Sequence, residues 1–168
     1  MFPSPLAGEG QGEGVFSGQI AQHFSLHFAL SMQKQNLYLI DGSSYIYRAF
    51  HAIPFLSNKK GLPTNAIYGF TRMLKKVLKD FKPEHLAVVF DTKAPSFRHK
   101  LYEQYKAQRP EMPDALKPQI PYVKETVAAF NIPCLEMEGY EADDVIGTMA
   151  QRAKEKGYRV IIITGDKD

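Results

Sequence analysis

The chain has 168 residues, 44% of them hydrophobic, which suffices for one globular domain with a core and is too little for two large ones. Its 21 Lys and Arg against 18 Asp and Glu leave a formal net charge of only +3, which singles out no class of partner, and the single cysteine, Cys134, excludes an intramolecular disulfide framework and a cysteine-rich zinc site. No apolar run approaches the ~18 residues of a membrane helix, so no membrane association and a cytoplasmic location are expected.

Residues 1–31 hold five of the twelve glycines, two acidic residues and no Lys or Arg. The stretch SPLAGEGQGEG has neither helical nor strand periodicity, and its glycines lose much chain entropy on ordering. No basic segment precedes an apolar one, as a signal peptide requires. Residues 1–33 are therefore expected to be a flexible extension, with Met32 as the natural start. From Asn36 onward apolar strands and helical stripes alternate. LYLI at 37–40 is a continuous apolar run that ends in Asp41-Gly42. Residues 64–81 place Ile67, Phe70, Leu74, Val77, Leu78 and Phe81 on one helical face. LAVVF at 86–90 ends in Asp91. Residues 114–130 read as a helix broken or started late by Pro118 and Pro121, and CLEM at 134–137 as a short strand. Residues 141–156 carry Ala142, Val145, Ile146, Met149, Ala150 and Ala153 at helical spacing, with Gly157 as C-cap. VIII at 160–163 runs into Thr164-Gly165-Asp166. Continuous apolar strands separated by helices predict an α/β fold, a parallel sheet core flanked by helices.

The chemistry gathers where the strands stop. Asp41, Asp91 and Asp166 each follow a predicted strand, and in a parallel sheet all such ends lie on one edge, where α/β proteins place ligands. The helix starting near Glu141 adds Glu141, Asp143 and Asp144 in its first turn, and Asp168 follows Asp166. Any one of these acids alone reads as a turn former or a helix cap. Together at one edge they repel one another unless a cation sits among them. Hard oxygen donors without His or Cys suit Mg²⁺ or Mn²⁺, and so many acids point to two metals about 4 Å apart, the arrangement that attacks phosphodiesters.

The bases agree with such a substrate. Residues 57–82 hold seven Lys or Arg against one acid, and residues 97–124 hold six against three. For Arg72, Lys75, Lys76 and Lys79 a solvated helix face explains the pattern equally well. The segment FRHKLYEQYKAQRPEMP interleaves Arg98, Lys100, Lys106 and Arg109 with Phe97, Tyr102 and Tyr105. Cations interleaved with aromatics hold a phosphate backbone and stack on unpaired bases.

Five strings, LYLIDGSSYIYRAFHA, VVFDTKAPSFRHK, YKAQRPEMP, GYEADDVIGTMA and IITGDKD, stand in the order found in the amino-terminal 5′-nuclease domain of bacterial DNA polymerase I. Residues 34–168 thus resemble that 5′-3′ exonuclease family, relatives of the flap endonucleases. The resemblance implies a PIN-like fold with a helical arch over a two-metal site. It makes Asp41, Asp91, Glu141, Asp143 and Asp144 the first acid group, and Asp166 and Asp168 the start of the second. Arg48 and Lys106 become catalytic residues at the scissile phosphate. Arg48, Arg98, Tyr105, Lys106 and Arg109 become the DNA contacts. Lys100 departs from the family, which usually has an acid after FRH. The chain also ends at Asp168, before the family's remaining carboxylates and its helix-hairpin element, so a catalytic core incomplete at its C-terminal end is expected, with weak or no cleavage.

The function implied is hydrolysis of DNA at 5′ flaps, nicks or single-stranded 5′ ends, in replication and repair, including removal of RNA primers, by a monomer carrying two Mg²⁺ or Mn²⁺ ions. Three alternatives remain open from the residues alone. A toprim-type enzyme fits Asp166-Lys167-Asp168 but leaves Asp91 and the Glu141 cluster unexplained. A PIN-like ribonuclease shares the acidic edge, and a nucleic-acid-binding fragment without activity shares the basic segments.

Overall fold

A computed structural model describes residues 35–102, 104–105, 107–108 and 110–165. The expectations for residues 1–33 and for Lys106, Arg109, Asp166 and Asp168 lie outside the described residues. In chain order the elements are β1 (Asn36–Asp41), α1 (Gly42–Ala52), α2 (Asn65–Phe81), β2 (His85–Val89), α3 (Phe97–Leu101), a 3₁₀ turn (Lys117–Gln119), α4 (Ile120–Ala129), β3 (Cys134–Leu135), α5 (Ala142–Glu155) and β4 (Arg159–Ile163).

The four strands form one parallel sheet in the order β3-β2-β1-β4. In β1, Leu39 and Ile40 are both fully buried because the sheet is covered on both faces. Ile40 and Val88 point to one face, where they join Ile46, Phe70, Leu74 and Val123 from α1, α2 and α4. Leu39, Ala87 and Val89 point to the other, where Ala142, Val145 and Ile146 of α5 cover them. The continuous apolar runs in the sequence arise from these two cores.

Most elements fall where the sequence predicts them. α2 and α5 match their periodic stripes, and Gly157 follows α5 at φ 86°, a left-handed conformation that ends the helix. The helix expected over 114–130 divides. Pro118 lies in the 3₁₀ turn and Pro121 in the first turn of α4, where a missing N–H costs nothing. β3 keeps only Cys134 and Leu135 of the four residues expected. Of the segment expected to arch over the sheet edge, Phe97–Leu101 is helical, while residues 104–105 and 107–108 lie in turns.

α1 has no counterpart in the periodic reading, since it opens on Gly42-Ser43-Ser44, weak helix formers. Its start is secured by tertiary structure. Asp41 caps it, accepting from the Ser44 N–H at 3.1 Å, and a Cβ on Gly42 would stand 2.4 Å from Cε1 of the buried Phe90. Only glycine lets that helix begin against that ring. Gly42→Ala is expected to lower stability by about 1–3 kcal/mol, read from the midpoint of urea unfolding, with part of the loss recovered when Phe90→Leu is added.

Candidate functional site

Because every strand is parallel, β1, β2 and β4 deliver their following residues to one edge. Asp41 ends β1 and is buried. Its Oδ1 serves the α1 cap, and its Oδ2 accepts from the Thr164 hydroxyl at 3.1 Å. Ser44 Oγ lies 3.1 Å from Thr164 Oγ1 and accepts from the Gly165 N–H at 2.9 Å. The exit of β4 is thereby pinned to the first turn of α1. Arg48, one turn further along α1, is exposed and lies beside Gly165, where an added Cβ would meet its Cβ and Cδ at 3.4 Å.

Asp91 lies two residues beyond β2. Its N–H donates to Ser43 Oγ at 2.9 Å, and its Oδ1 accepts from the Ala142 N–H at 2.8 Å. The carboxylate therefore joins β2 to the N-terminus of α5, where the helix dipole favours negative charge. Glu141 caps α5, and its own N–H donates to Asp144 Oδ2 at 3.1 Å. Asp143 is exposed in the same turn. Asp41, Asp91, Glu141, Asp143 and Asp144 thus share the carboxyl edge of the sheet.

The cationic segment docks on these acids. Both Asp144 oxygens accept from Arg98, Nη1 to Oδ2 and Nη2 to Oδ1, each at 2.6 Å, and Nη1 lies 3.5 Å from Glu141 Oε2. The hydrogen bonds to Asp144 hold the Arg98 guanidinium's pKa above its already high ordinary value. Tyr105 donates to Glu141 Oε2 at 3.1 Å, and the buried Ser96 donates to Glu141 Oε1 at 3.3 Å. Two residues expected to meet DNA, Arg98 and Tyr105, are therefore in contact with two expected to bind metal.

Beside Asp91 a cavity of about 780 Å³ opens between α1, the exit of β2 and α4. Ile46, Tyr47, Phe90 and Ile120 supply apolar wall, and Lys93, Lys117 and Lys124 supply positive charge. Lys117 pairs with Asp114 at 2.8 Å and Lys124 pairs with Glu136. Nothing in the local sequence flags Tyr47, Ser96, Lys117 or Lys124 as neighbours of the acidic edge. The Ser43-Ser44 pair, with only Gly42 between it and Asp41, is the one signal that could have extended the site.

The donors are all hard carboxylate oxygens, with a guanidinium already seated on two of the acids as a stand-in for a cation. In type and charge they fit Mg²⁺ or Mn²⁺. Among the described residues, however, no three His, Cys, Asp or Glu side chains close into a group that could hold a metal ion as they stand. Backbone N–H groups, Thr164, Ser96, Tyr105 and Arg98 hold oxygens of Asp41, Asp91, Glu141 and Asp144.

Residues 36–168 match the family described as 5′-3′ exonuclease, N-terminal resolvase-like domain. A 5′-3′ exonuclease of Aquifex aeolicus is 53% identical over 134 residues, covering 80% of this chain and 46% of that protein. DNA polymerase I of Bacillus caldotenax is 50% identical over 135 residues, covering 80% of this chain and 15% of that protein. The chain thus spans less than half the length of these relatives. Among solved structures, the T5 D15 protein co-crystallized with metal ions superposes with a TM-score of 0.58 at 20% identity, over 79% of this chain and 50% of that one, a likeness of fold. The same holds for the bacteriophage T5 D15 flap endonuclease in a pseudo-enzyme-product complex with DNA and metal ions, at a TM-score of 0.55, 22% identity, and 79% of this chain and 50% of that one. With the match running from the first strand to the last residue, the chain belongs to the 5′-3′ exonuclease N-terminal resolvase-like domain family.

Proposed function

We propose that the chain carries the metal-binding face of a 5′-3′ exonuclease and flap endonuclease that hydrolyses DNA phosphodiesters at 5′ flaps, nicks or single-stranded 5′ ends, in the cytoplasm, in replication and repair. The observation that supports it most is the placing of Asp41, Asp91 and the Glu141–Asp144 turn at one sheet edge, with Arg98 docked on Asp144 and Tyr105 on Glu141. Asp41, Asp91, Glu141, Asp143 and Asp144 would hold two Mg²⁺ or Mn²⁺ ions, with Asp166 and Asp168 joining them. Bound there, the ions supply a water of lowered pKa and positive charge at the scissile phosphate. Arg48, exposed beside the exit of β4, would offset charge on the phosphate oxygens, a role assigned also to Lys106. Lys106 and Arg109, together with Arg98 and Tyr105, bring the backbone and bases of a single strand toward the acidic edge. The cavity beside Asp91, apolar with lysines at its wall, suits an unpaired nucleotide on that path.

The test is incubation of the protein with 5′-flap DNA, nicked duplex and single-stranded RNA, each with and without Mg²⁺. Cleavage of flap DNA that needs Mg²⁺ and leaves RNA intact supports the reading, and RNA cleavage alone replaces it with a ribonuclease. DNA binding without any cleavage would mean a binding module. Binding itself should weaken steeply with salt as counterions are released. Arg48→Ala is expected to flatten the log–log salt slope by about one unit, the share of one phosphate contact, as fluorescence anisotropy at several salt concentrations would show.

A further inference from the structure

The segment from Ser96 to Tyr105 is fastened to the start of α5 through the very acids assigned to metal. The Phe97 N–H donates to the Gly139 carbonyl at 2.8 Å, and the Phe97 and Tyr140 rings pack 5.7 Å apart. Ser96 and Tyr105 each hold one Glu141 oxygen. Arg98 forks onto both Asp144 oxygens at 2.6 Å, and its guanidinium lies over the Phe97 ring, 4.7 Å from the centroid. The ring and the carboxylate together fix the plane of the fork, a geometry that a planar guanidinium satisfies and an ammonium does not.

We propose that Arg98 is the internal counter-ion of the metal centre: it holds Asp144, with Glu141 beside it, until a divalent cation takes these carboxylates, and its release frees the 96–105 segment from α5. This rests on the metal centre proposed above. A divalent cation and the guanidinium compete for the same Asp144 lone pairs, and as like charges at a few ångströms they repel. Each therefore weakens the other's hold by the same factor, as linkage requires. The displaced guanidinium still needs an anionic fork to fill, and a phosphodiester offers one. Metal binding thereby turns a side chain that neutralises the site into one that recruits substrate. Phosphate binding, by keeping Arg98 occupied, in turn favours metal. The short reach between Arg98 and Asp144 makes the exchange local: the guanidinium need only leave the carboxylate while Ser96 and Tyr105 let go of Glu141 and the Phe97 amide lets go of Gly139, just ahead of α5.

The experiment is Mn²⁺ titration by calorimetry, without DNA, of the wild-type chain, Arg98→Gln and Arg98→Lys, paired with hydrogen exchange across residues 96–102 with and without Mg²⁺. Arg98→Gln is expected to bind Mn²⁺ about tenfold tighter, because a competing cation has gone. Arg98→Lys, which keeps the charge and loses the fork, should bind roughly threefold tighter. Mg²⁺ should speed exchange at Phe97 and Tyr102 in the wild type, and in Arg98→Gln that exchange should be fast already. A purely structural role lowers the melting temperature of Arg98→Gln but cannot tighten metal binding. Unchanged or weaker Mn²⁺ affinity in both variants, with the wild type binding, overturns the counter-ion role alone. A wild-type chain that takes up no Mn²⁺ overturns the metal centre and this role with it. Should Arg98→Gln fail to fold, the lysine variant carries the comparison.

Discussion

Whatever Mg²⁺-dependent cleavage of flap DNA the unsubstituted chain shows, Asp91→Asn is expected to lower it by about a hundredfold or more while keeping its fold. The substitution is chosen because Asp91 has two separable tasks. Its Oδ1 accepts from the Ala142 N–H at 2.8 Å, which ties the exit of β2 to α5. An asparagine oxygen accepts that bond with the same geometry, so the joint survives. What the amide cannot supply is the negative charge and the second hard oxygen that a divalent cation requires. The stability cost is limited to one charge near a helix N-terminus, about 0.3–1 kcal/mol. The check is a cleavage time course beside a thermal melt. Lost cleavage with a melting temperature shifted by only a few degrees assigns Asp91 to the chemistry. Wild-type cleavage rates in Asp91→Asn would reduce the residue to a structural tie, and the metal assignment at β2 would fall. Asp91→Ala, which removes the bond and the charge together, should lose both stability and cleavage.

Much of the fold is legible because burial writes itself into short stretches. β1, β2 and β4 are recognisable since both faces of the sheet are covered, leaving unbroken apolar runs, and α2 and α5 are recognisable from single apolar stripes. The acids follow from the strand ends, as a parallel sheet brings them to one edge whatever the register. What stays hidden depends on partners far along the chain. α1 begins with residues that disfavour helix locally and is secured by Asp41 and by the close approach of Phe90. Arg98 reads as one more base in a basic segment, and its engagement with Asp144 spans 46 positions. The link between Ser44 and Thr164 spans 120. Side-chain pairing of this range leaves no periodic trace, so composition indicates a cationic arm but not that the arm rests on the acids.

Gln119→Leu is expected to destabilise the chain by about 3 kcal/mol, the largest stability effect among the single changes considered. In sequence Gln119 is a polar residue between Pro118 and Ile120, with nothing to mark it as interior. In the structure it is fully buried, and every polar atom of its amide is used. Oε1 accepts from the Ala66 and Ile67 N–H groups at 2.8 and 3.2 Å, capping α2 from another part of the chain where Thr64, the N-cap residue, supplies no side-chain bond. Nε2 donates to Asn65 Oδ1 at 3.0 Å and to the Ala115 carbonyl at 2.8 Å, and Asn65 in turn donates to the Phe50 carbonyl at 2.9 Å. Gln119, with Asn65 bonded to it, thus joins the end of α1, the start of α2 and the entry to α4. Leucine fills a similar volume, so the loss comes from donors and acceptors left unpaired inside the protein rather than from a cavity. In a double-mutant cycle with Asn65→Ala the coupling should be about 1 kcal/mol or more, since the two amides share a bond. Mn²⁺ affinity measured well below the melting temperature should be unchanged, because the acids lie at the ends of β1 and β2 and at the start of α5. A loss under about 1 kcal/mol in urea unfolding would mean that water or a shifted helix start satisfies the exposed N–H groups, and Gln119 would then be a filler of space and not the joint of three helices.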